Sequence, residues 1–510
     1  MLTAAAAGWA ATPAQIANYL EQLDAGAQPS IGGRLLRSSA AVSEFYRAHQ
    51  HAPIWTNGPA RRDRLAELRA EIRASADHGL APEHYHLTEL GEHAEDTLTT
   101  ELLATDAFLT QAEHRMAGAL SPSELDPEWY LPQSEVPAGE VLASAVRDDT
   151  IARTLAGLWP QHGEYALLLA RRQRVAALER SSDTLVAPGP ILKYGQSSPR
   201  VVLLKERLIG PGGHTPEFDH DLREAVLAFQ ASVGLVADGI VGDATIEMLN
   251  TAPSFWLDTL DANLERWRWL PNELPRDYLS VNIAAFELRA IDAGREVVRM
   301  KVIVGQPYRR TPMFTQTLKY LVYNPEWNIP FEIAVKDKLP VLKRDPVRLA
   351  LQGYEARLAG TEFFVPVDTV DWRRVTRDTF HYDLRQLPGP TNALGRIKFM
   401  LPNRFAVYLH DTPDRGLFDR QQRDFSSGCI RLADPVRLAD WVLRHDGQPN
   451  AAASMPDQLA SGATRTVHLQ TPLPVLIVYF TAFVGEAGDV MFRRDLYQRD
   501  QAIISALRSQ

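Results

Sequence analysis

The chain has 510 residues, with 54 Lys and Arg against 63 Asp and Glu, a formal net charge of −9. A hydrophobic share of 45% and a charged share of 23% exclude a disordered or collagen-like chain, and the length predicts two to four domains. An acidic balance does not point to nucleic acid, whose partners are basic, and a single cysteine, Cys429, excludes an internal disulfide and a metal site built on several cysteines.

The longest apolar stretch, 475–484, is interrupted by Thr481 and falls short of the roughly 20 residues of a membrane span. The N-terminal MLTAAAAGWAATPAQ lacks the basic start and long apolar core of an intact signal peptide. Localisation therefore has to come from function.

In chain order, residues 1–188 read as a helical scaffold. Leu65, Leu68 and Ile72 recur at helical spacing within 61–77, and Gly79 is placed to end that helix. Segments 104–119 and 148–158 also read as helices. Ala187-Pro188-Gly189-Pro190 is a strong breaker and marks a boundary. Residues 191–250 form a compact unit of three helices, at 201–208, 221–233 and 245–249, with a turn at Asp238-Gly239-Ile240-Val241-Gly242. Residues 251–275 hold a connecting helix that ends near Pro271.

From 276 to 485 the pattern changes to strands, predicted at 278–283, 288–291, 297–304, 319–323, 396–400, 406–409 and 475–483 by their Val, Ile, Tyr and Phe content. A long segment, 331–388, interrupts them and contains a helical piece at 346–352. An insertion of that size predicts a lid or binding element. Residues 486–510 form a C-terminal tail with a helix. The fold class is thus multidomain α+β: a helical scaffold, a three-helix unit, and a mainly β domain carrying a large insertion.

The most informative stretch is 406–435. A strand ends in His410, a polar loop follows, and Ser426-Ser427-Gly428-Cys429-Ile430-Arg431 precedes a helix from about Pro435. A thiolate is the reactive form of cysteine, and a nearby imidazole can take its proton or hold it as an ion pair. Gly428 permits close backbone approach to a substrate. The amides of Gly428 and Cys429 could form an oxyanion hole. Arg431 offers a fork for a substrate carboxylate or, equally, for an Asp of the loop.

Together these residues resemble the active-site signature of the L,D-transpeptidases with a YkuD-type catalytic domain: a His, a spacer, then Ser/Thr-x-Gly-Cys-x-Arg. The matching positions are His410, Ser426, Gly428, Cys429 and Arg431, and Ser427 stands where the family often has His. The likeness extends further. Asn324-Pro325-Glu326-Trp327-Asn328-Ile329-Pro330 looks like the segment entering the lid of large Gram-negative members, and 385–390 and 392–395 look like the return. Phe229-Gln230 with the 238–242 turn is similar to a peptidoglycan-binding domain. Phe45-Tyr46, Pro53-Ile54-Trp55 and His78-Gly79-Leu80 resemble the family's scaffold.

The resemblance implies an enzyme that acts on peptidoglycan stem peptides, a donor tetrapeptide and an acceptor stem, in the periplasm. Cys429 would be the nucleophile and His410 the base and later acid. Ser426, Ser427 and Gly428 would shape the loop. Arg431, Tyr408 and Trp327 would contact substrate. The group that orients His410 stays open: Asp411 is adjacent, but successive strand residues point to opposite faces, which favours a backbone carbonyl over it. The product implied is a 3→3 cross-link formed through a thioester with release of D-Ala. No cofactor or metal is needed, carbapenems would acylate the thiol, and cell-wall synthesis proteins are conceivable partners.

Alternatives on the same fold are an L,D-carboxypeptidase and a lipoprotein-attaching transpeptidase. A non-catalytic wall-binding protein would be expected to have lost Cys429 or His410. A metal hydrolase using His49, His51, His84, His86 and His93 finds no HExxH motif and is better explained by exposed helix or loop histidines.

Overall fold

In a computed structural model of the chain, residues 10–57, 61–91, 97–132, 136–179, 185–212 and 214–509 are described; most of the alanine-rich N-terminus and His93 lie outside them. No described helix is long and apolar enough to cross a membrane.

The scaffold opens with helix Pro13–Asp24, capped by a reciprocal Thr12–Gln15 box. Helix Arg61–Ala74 tightens into a 3-10 turn, Ser75–His78, and stops at Gly79 with φ of 77°, the left-handed conformation that glycine adopts freely. The helix expected over 148–158 is instead the end of Ala138–Asp148 and the separate Ile151–Gly157. Asp149 takes φ of 53° between them, a conformation its short polar side chain tolerates. The 45–46 and 53–55 motifs have a packing cause. Glu101, fully buried on helix Thr97–Ala117, accepts from Tyr46 Oη (2.8 Å), Ile54 N (2.6 Å) and Thr56 N (2.9 Å), so a carboxylate taken out of water is fully hydrogen-bonded.

Helices Pro199–Leu208, His220–Ser232 and Asp243–Leu249 enclose a small core of their own around Leu204, Leu222 and Val226. Buried Gln230 donates to Ile240 O (2.8 Å) and accepts from Gly239 N (2.9 Å), which is why Phe229-Gln230 and the 238–242 turn occur together.

The main sheet has nine strands: β1 (Trp129–Tyr130), β2 (Tyr278–Asn282), β3 (Glu287–Asp292), β4 (Arg295–Ile303), β5 (Met313–Tyr323), β6 (Ile397–Met400), β7 (Leu409–His410), β8 (Ile430–Leu432) and β9 (Arg465–Val478). Their order is β6-β7-β8-β4-β3-β2-β9-β5-β1, and β6 also pairs with β5, so eight of them close on themselves. The strand expected at 406–409 shrinks to β7, because Ala406 takes φ of 55° and Asn403 ties back to Val407 N (3.2 Å). The strand expected at 475–483 is instead β9, bulged between His468 and Leu473, followed by a separate Ala482–Val484.

Helix Pro253–Arg268 is more than a connector. Residues 262–268 are all buried, with Arg268 and Glu265 paired at 2.5 Å and neither exposed. It sits between scaffold and sheet, and one continuous core runs through all three. Scaffold strand β1 completes the contact by pairing with β5.

The insertion folds around a second core. Strands Trp327–Ile329, Tyr354–Leu358, Val365–Pro366 and Tyr382–Gln386 form a four-stranded antiparallel sheet. Trp372, Leu342, Leu384 and Phe380 fill the space against it.

Candidate active site

The parallel pair β7–β8 builds the site. Leu409 lies opposite Ile430 and His410 opposite Arg431, while Lys398 of β6 flanks His410 on the other side. Successive strand residues face opposite ways. Leu409 and Ile430 are therefore both fully buried in the main core, worth about 1.5–3 kcal/mol each. Lys398, His410 and Arg431 share the other face with Tyr408 and Cys429. The parallel pairing gathers these five from three segments.

Loop 426–429 is pinned from several sides. Ser426 N donates to Val304 O (2.9 Å), and Ser426 O accepts from Gln306 N (3.1 Å). Ser426 Oγ donates to Cys429 O (2.5 Å) and accepts from Gly428 N (3.1 Å). Thr311 Oγ1 donates to Gly428 O (2.8 Å). Gly428 takes φ of 111°, so backbone strain favours glycine there. These bonds correct one expectation. The Gly428 amide is held by Ser426 and is not free for an oxyanion, whereas the Cys429 amide has no such partner among the described residues.

His410 is buried, with Nδ1 2.5 Å from Asp411 O. A carbonyl only accepts, so Nδ1 carries the proton and Nε2 keeps its lone pair. The Asp411 carboxylate points elsewhere. It accepts from Arg396 N (2.8 Å) and Thr412 N (2.7 Å), and it fills the space a Cβ on Gly395 would need. The neighbouring carbonyl is thereby fixed in place. Burial, then Arg431 and Lys398, pull His410 down to about 3 despite its bond to Asp411. Burial pushes the half-buried Cys429 thiol up, opposed by hydrogen bonding from Tyr408 and by the charges of Lys398 and Arg431. At neutral pH the resting pair is thiol and neutral imidazole, not thiolate and imidazolium. Cys429 Sγ lies 3.7 Å from Ala406 O.

Around this pair, Tyr408 stands edge-on to His410 at 5.6 Å, and the Lys398 ammonium lies 3.9 Å above the Tyr408 ring. Arg431 faces Asp414 of the loop at 3.5 Å, the second of its two expected uses. Trp327 belongs to the insertion core and packs near Lys338, whose ammonium lies 5.3 Å from its ring; Tyr408 packs against that same core. Ser427 Oγ accepts from Arg309 (2.8 Å), which also pairs with Asp337 of the insertion.

Lys398, Lys338, Arg309 and Asp337 went unnoticed in the sequence, because a lone charge on a strand or loop carries no motif. The alternation of Lys398 with Ile397 and Phe399, both fully buried, was the one available signal. Among the described residues no group of three or more His, Cys, Asp or Glu is arranged to hold a metal; His86 instead bonds Asp106 at 2.8 Å.

Residues 276–472 match the family described as "L,D-transpeptidase catalytic domain", 197–249 match "Putative peptidoglycan binding domain" and 40–171 match "Scaffold domain". The chain thus carries an L,D-transpeptidase catalytic domain joined to a peptidoglycan-binding domain and a scaffold domain. A curated protein of Haemophilus influenzae named "Putative L,D-transpeptidase" is 34% identical over 244 residues, which is 48% of this chain and 48% of that protein, so the match spans about half the length of the relative. Among solved structures, an L,D-transpeptidase of Xylanimonas cellulosilytica is 14% identical, covering 57% of this chain and 99% of that one at a TM-score of 0.16. The Ldtfm–avibactam carbamoyl enzyme is 12% identical, covering 61% and 98% at a TM-score of 0.17. At these scores neither likeness adds to the account.

Proposed function

We propose that the protein is a peptidoglycan L,D-transpeptidase that joins stem peptides by 3→3 cross-links, acting outside the cytoplasm, in the periplasm. The observation that supports this reading is the pairing of β7 with β8, which puts a carbonyl-anchored neutral His410 on the same face as the thiol Cys429 that precedes β8.

In the proposed reaction, Cys429 Sγ attacks the carbonyl joining the third stem residue to D-Ala. His410 Nε2 takes the thiol proton as the C–S bond forms and passes it to the departing amine as the C–N bond breaks. D-Ala leaves and a thioester remains. An acceptor amine then attacks the thioester, gives its proton through His410, and the C–S bond breaks to restore the thiol. A thiol and an imidazole that both rest neutral make proton transfer concerted with attack. In this reading the Cys429 amide donates to the oxyanion, and a lost oxyanion donor costs about 10²–10³ in rate. Tyr408 and Lys398 supply further donors on the same face. Trp327, with the insertion behind it, closes the substrate side.

Intact mass spectrometry after incubation with a carbapenem tests the nucleophile. The wild-type chain gains one adduct and Cys429→Ala gains none; an adduct on both, or on neither, contradicts the assignment.

A further inference from the structure

A cleft of about 500 Å³ separates the three-helix unit from the catalytic sheet, lined by Ala231 and Gly234 on one side and by Phe286, Arg423, Phe483 and Arg493 on the other. Its charge is lopsided. Lys301, Arg420, Arg423, Arg493 and Arg494 all line it, in a chain whose net charge is −9. Of the lining carboxylates, Glu287 is taken by Arg299 at 3.0 and 3.1 Å, which leaves only the exposed Asp419.

The two inner guanidiniums are unusual. Arg423 donates only to carbonyls, those of Phe286 (3.1 Å), Val302 (3.2 Å), Arg420 (2.8 Å) and Gln421 (3.3 Å). Arg493 likewise donates to the carbonyls of Ala231 (3.1 Å) and Phe492 (2.7 Å). Burial and the charge of Arg493 pull Arg423 down to about 10, against the opposing charge of Glu287. Two cations held near each other without a hydrogen-bonded carboxylate are costly, and an anion would relieve both. Arg420 and Arg494 are exposed at the rim and make no side-chain ion pair among the described residues.

The cleft also leads somewhere. Arg420, Gln421 and Gln422 are shared with a second cleft of about 500 Å³ that continues past Gln306 and Tyr308 to Phe425, the residue before Ser426. The acid lining this stretch, Asp424, accepts from Gln422 at 3.1 Å. A continuous groove therefore runs from the three-helix unit to Phe425, cationic where Lys301, Arg420, Arg423, Arg493 and Arg494 line it and balanced farther on, where Arg420 and Asp424 are the charged lining residues.

We propose that this groove is an anion site for the carboxylates of a peptidoglycan stem peptide, gripped by Arg420 and Arg494 at the rim above Arg423 and Arg493. Guanidinium forks suit carboxylates, and the end of the groove at Phe425, the residue before loop 426–429, sets the direction in which the peptide extends. The ligand class rests on the proposed function above; the anion site itself rests on the arginines.

The test is calorimetric titration of a disaccharide tetrapeptide into the full chain carrying Cys429→Ala, which keeps the ligand intact. Adding Arg420→Ala and Arg494→Ala is expected to weaken binding at least tenfold, with an unchanged melting temperature because both side chains are exposed. Amidating the peptide carboxylates is expected to weaken binding by a similar factor, and inorganic phosphate at matched concentration to leave it unchanged. Equal affinity of the arginine variant and its parent, or of the amidated and free peptides, overturns the proposal. Displacement by inorganic phosphate overturns the carboxylate assignment. Carbapenem acylation of the wild-type chain tests the transpeptidase reading separately: its failure alongside arginine-dependent peptide binding removes that reading and leaves the site.

Discussion

His410 ends β7 and Cys429 immediately precedes β8, two paired strands that are each only two or three residues long. Their protonation follows from burial more than from each other. With the thiol pushed up and the imidazole down to about 3, alkylation of Cys429 by iodoacetamide is expected to rise only above the usual thiol range near 8.5, with no plateau between pH 5 and 8. A plateau there would show a resting ion pair instead. Gly428→Ala forces φ of 111° on a side-chain-bearing residue, at a cost of about 1–3 kcal/mol; the expected outcome is a sharp drop in acylation rate in a chain that still melts cooperatively. The sequence exposed the pair because the cysteine is unique and its neighbours form a dense pattern. It did not expose Lys398, whose place beside His410 depends on which strand pairs with which, nor the occupied Gly428 amide, which depends on one serine rotamer.

At the scale of elements, the insertion is the piece with its own core. Trp372 is almost fully buried in it, with its indole N–H donating to Val367 O at 2.6 Å. Trp372→Ala is expected to cost about 3–5 kcal/mol, confined to the insertion. Hydrogen exchange should accelerate across 327–386 and stay unchanged in helix Thr97–Ala117; uniform acceleration would contradict a separate core. The length of the insertion was legible in the sequence, and its sheet was not. Across Tyr354–Leu358 and Tyr382–Gln386, Arg357 pairs with Asp383 and Arg385 with Glu355 on the outer face, while Ala356 and Leu384 turn inward. Two short strands with charged outer residues read as polar loop until they are paired. β8 was missed for a similar reason, since Ile-Arg-Leu is too short to show alternation.

At the scale of the molecule, the scaffold, the helix Pro253–Arg268 and the catalytic sheet are joined in one core, while the three-helix unit keeps its own. Hydrophobic patterning revealed which faces are buried but not against what, so the core that residues 1–188 share with the catalytic sheet was not legible. Residues 251–510 made alone are expected to lack a cooperative thermal transition, and 185–252 alone to retain one; a cooperative melt of 251–510 would contradict the shared core. Stability should also fall in acid. His78 and His114 are pulled down to about 3, first by burial and then by Arg268, whereas the unfolded chain titrates near 6.5. Between those values the unfolded state binds more protons, so stability rises with pH across the window and is lost as pH falls through it. His114→Gln should reduce that slope by about 1.4 kcal/mol per pH unit near pH 5, read from denaturant melts at several pH values; an unchanged slope would contradict a buried neutral imidazole. The product that the assembled molecule makes decides its function. Mass spectrometry of products from a disaccharide tetrapeptide is its most direct measurement: the wild-type chain is predicted to yield 3→3-linked dimers with one D-Ala released per link, and Cys429→Ala none, whereas dimers formed without Cys429, or hydrolysed tripeptide with no dimer, would contradict it.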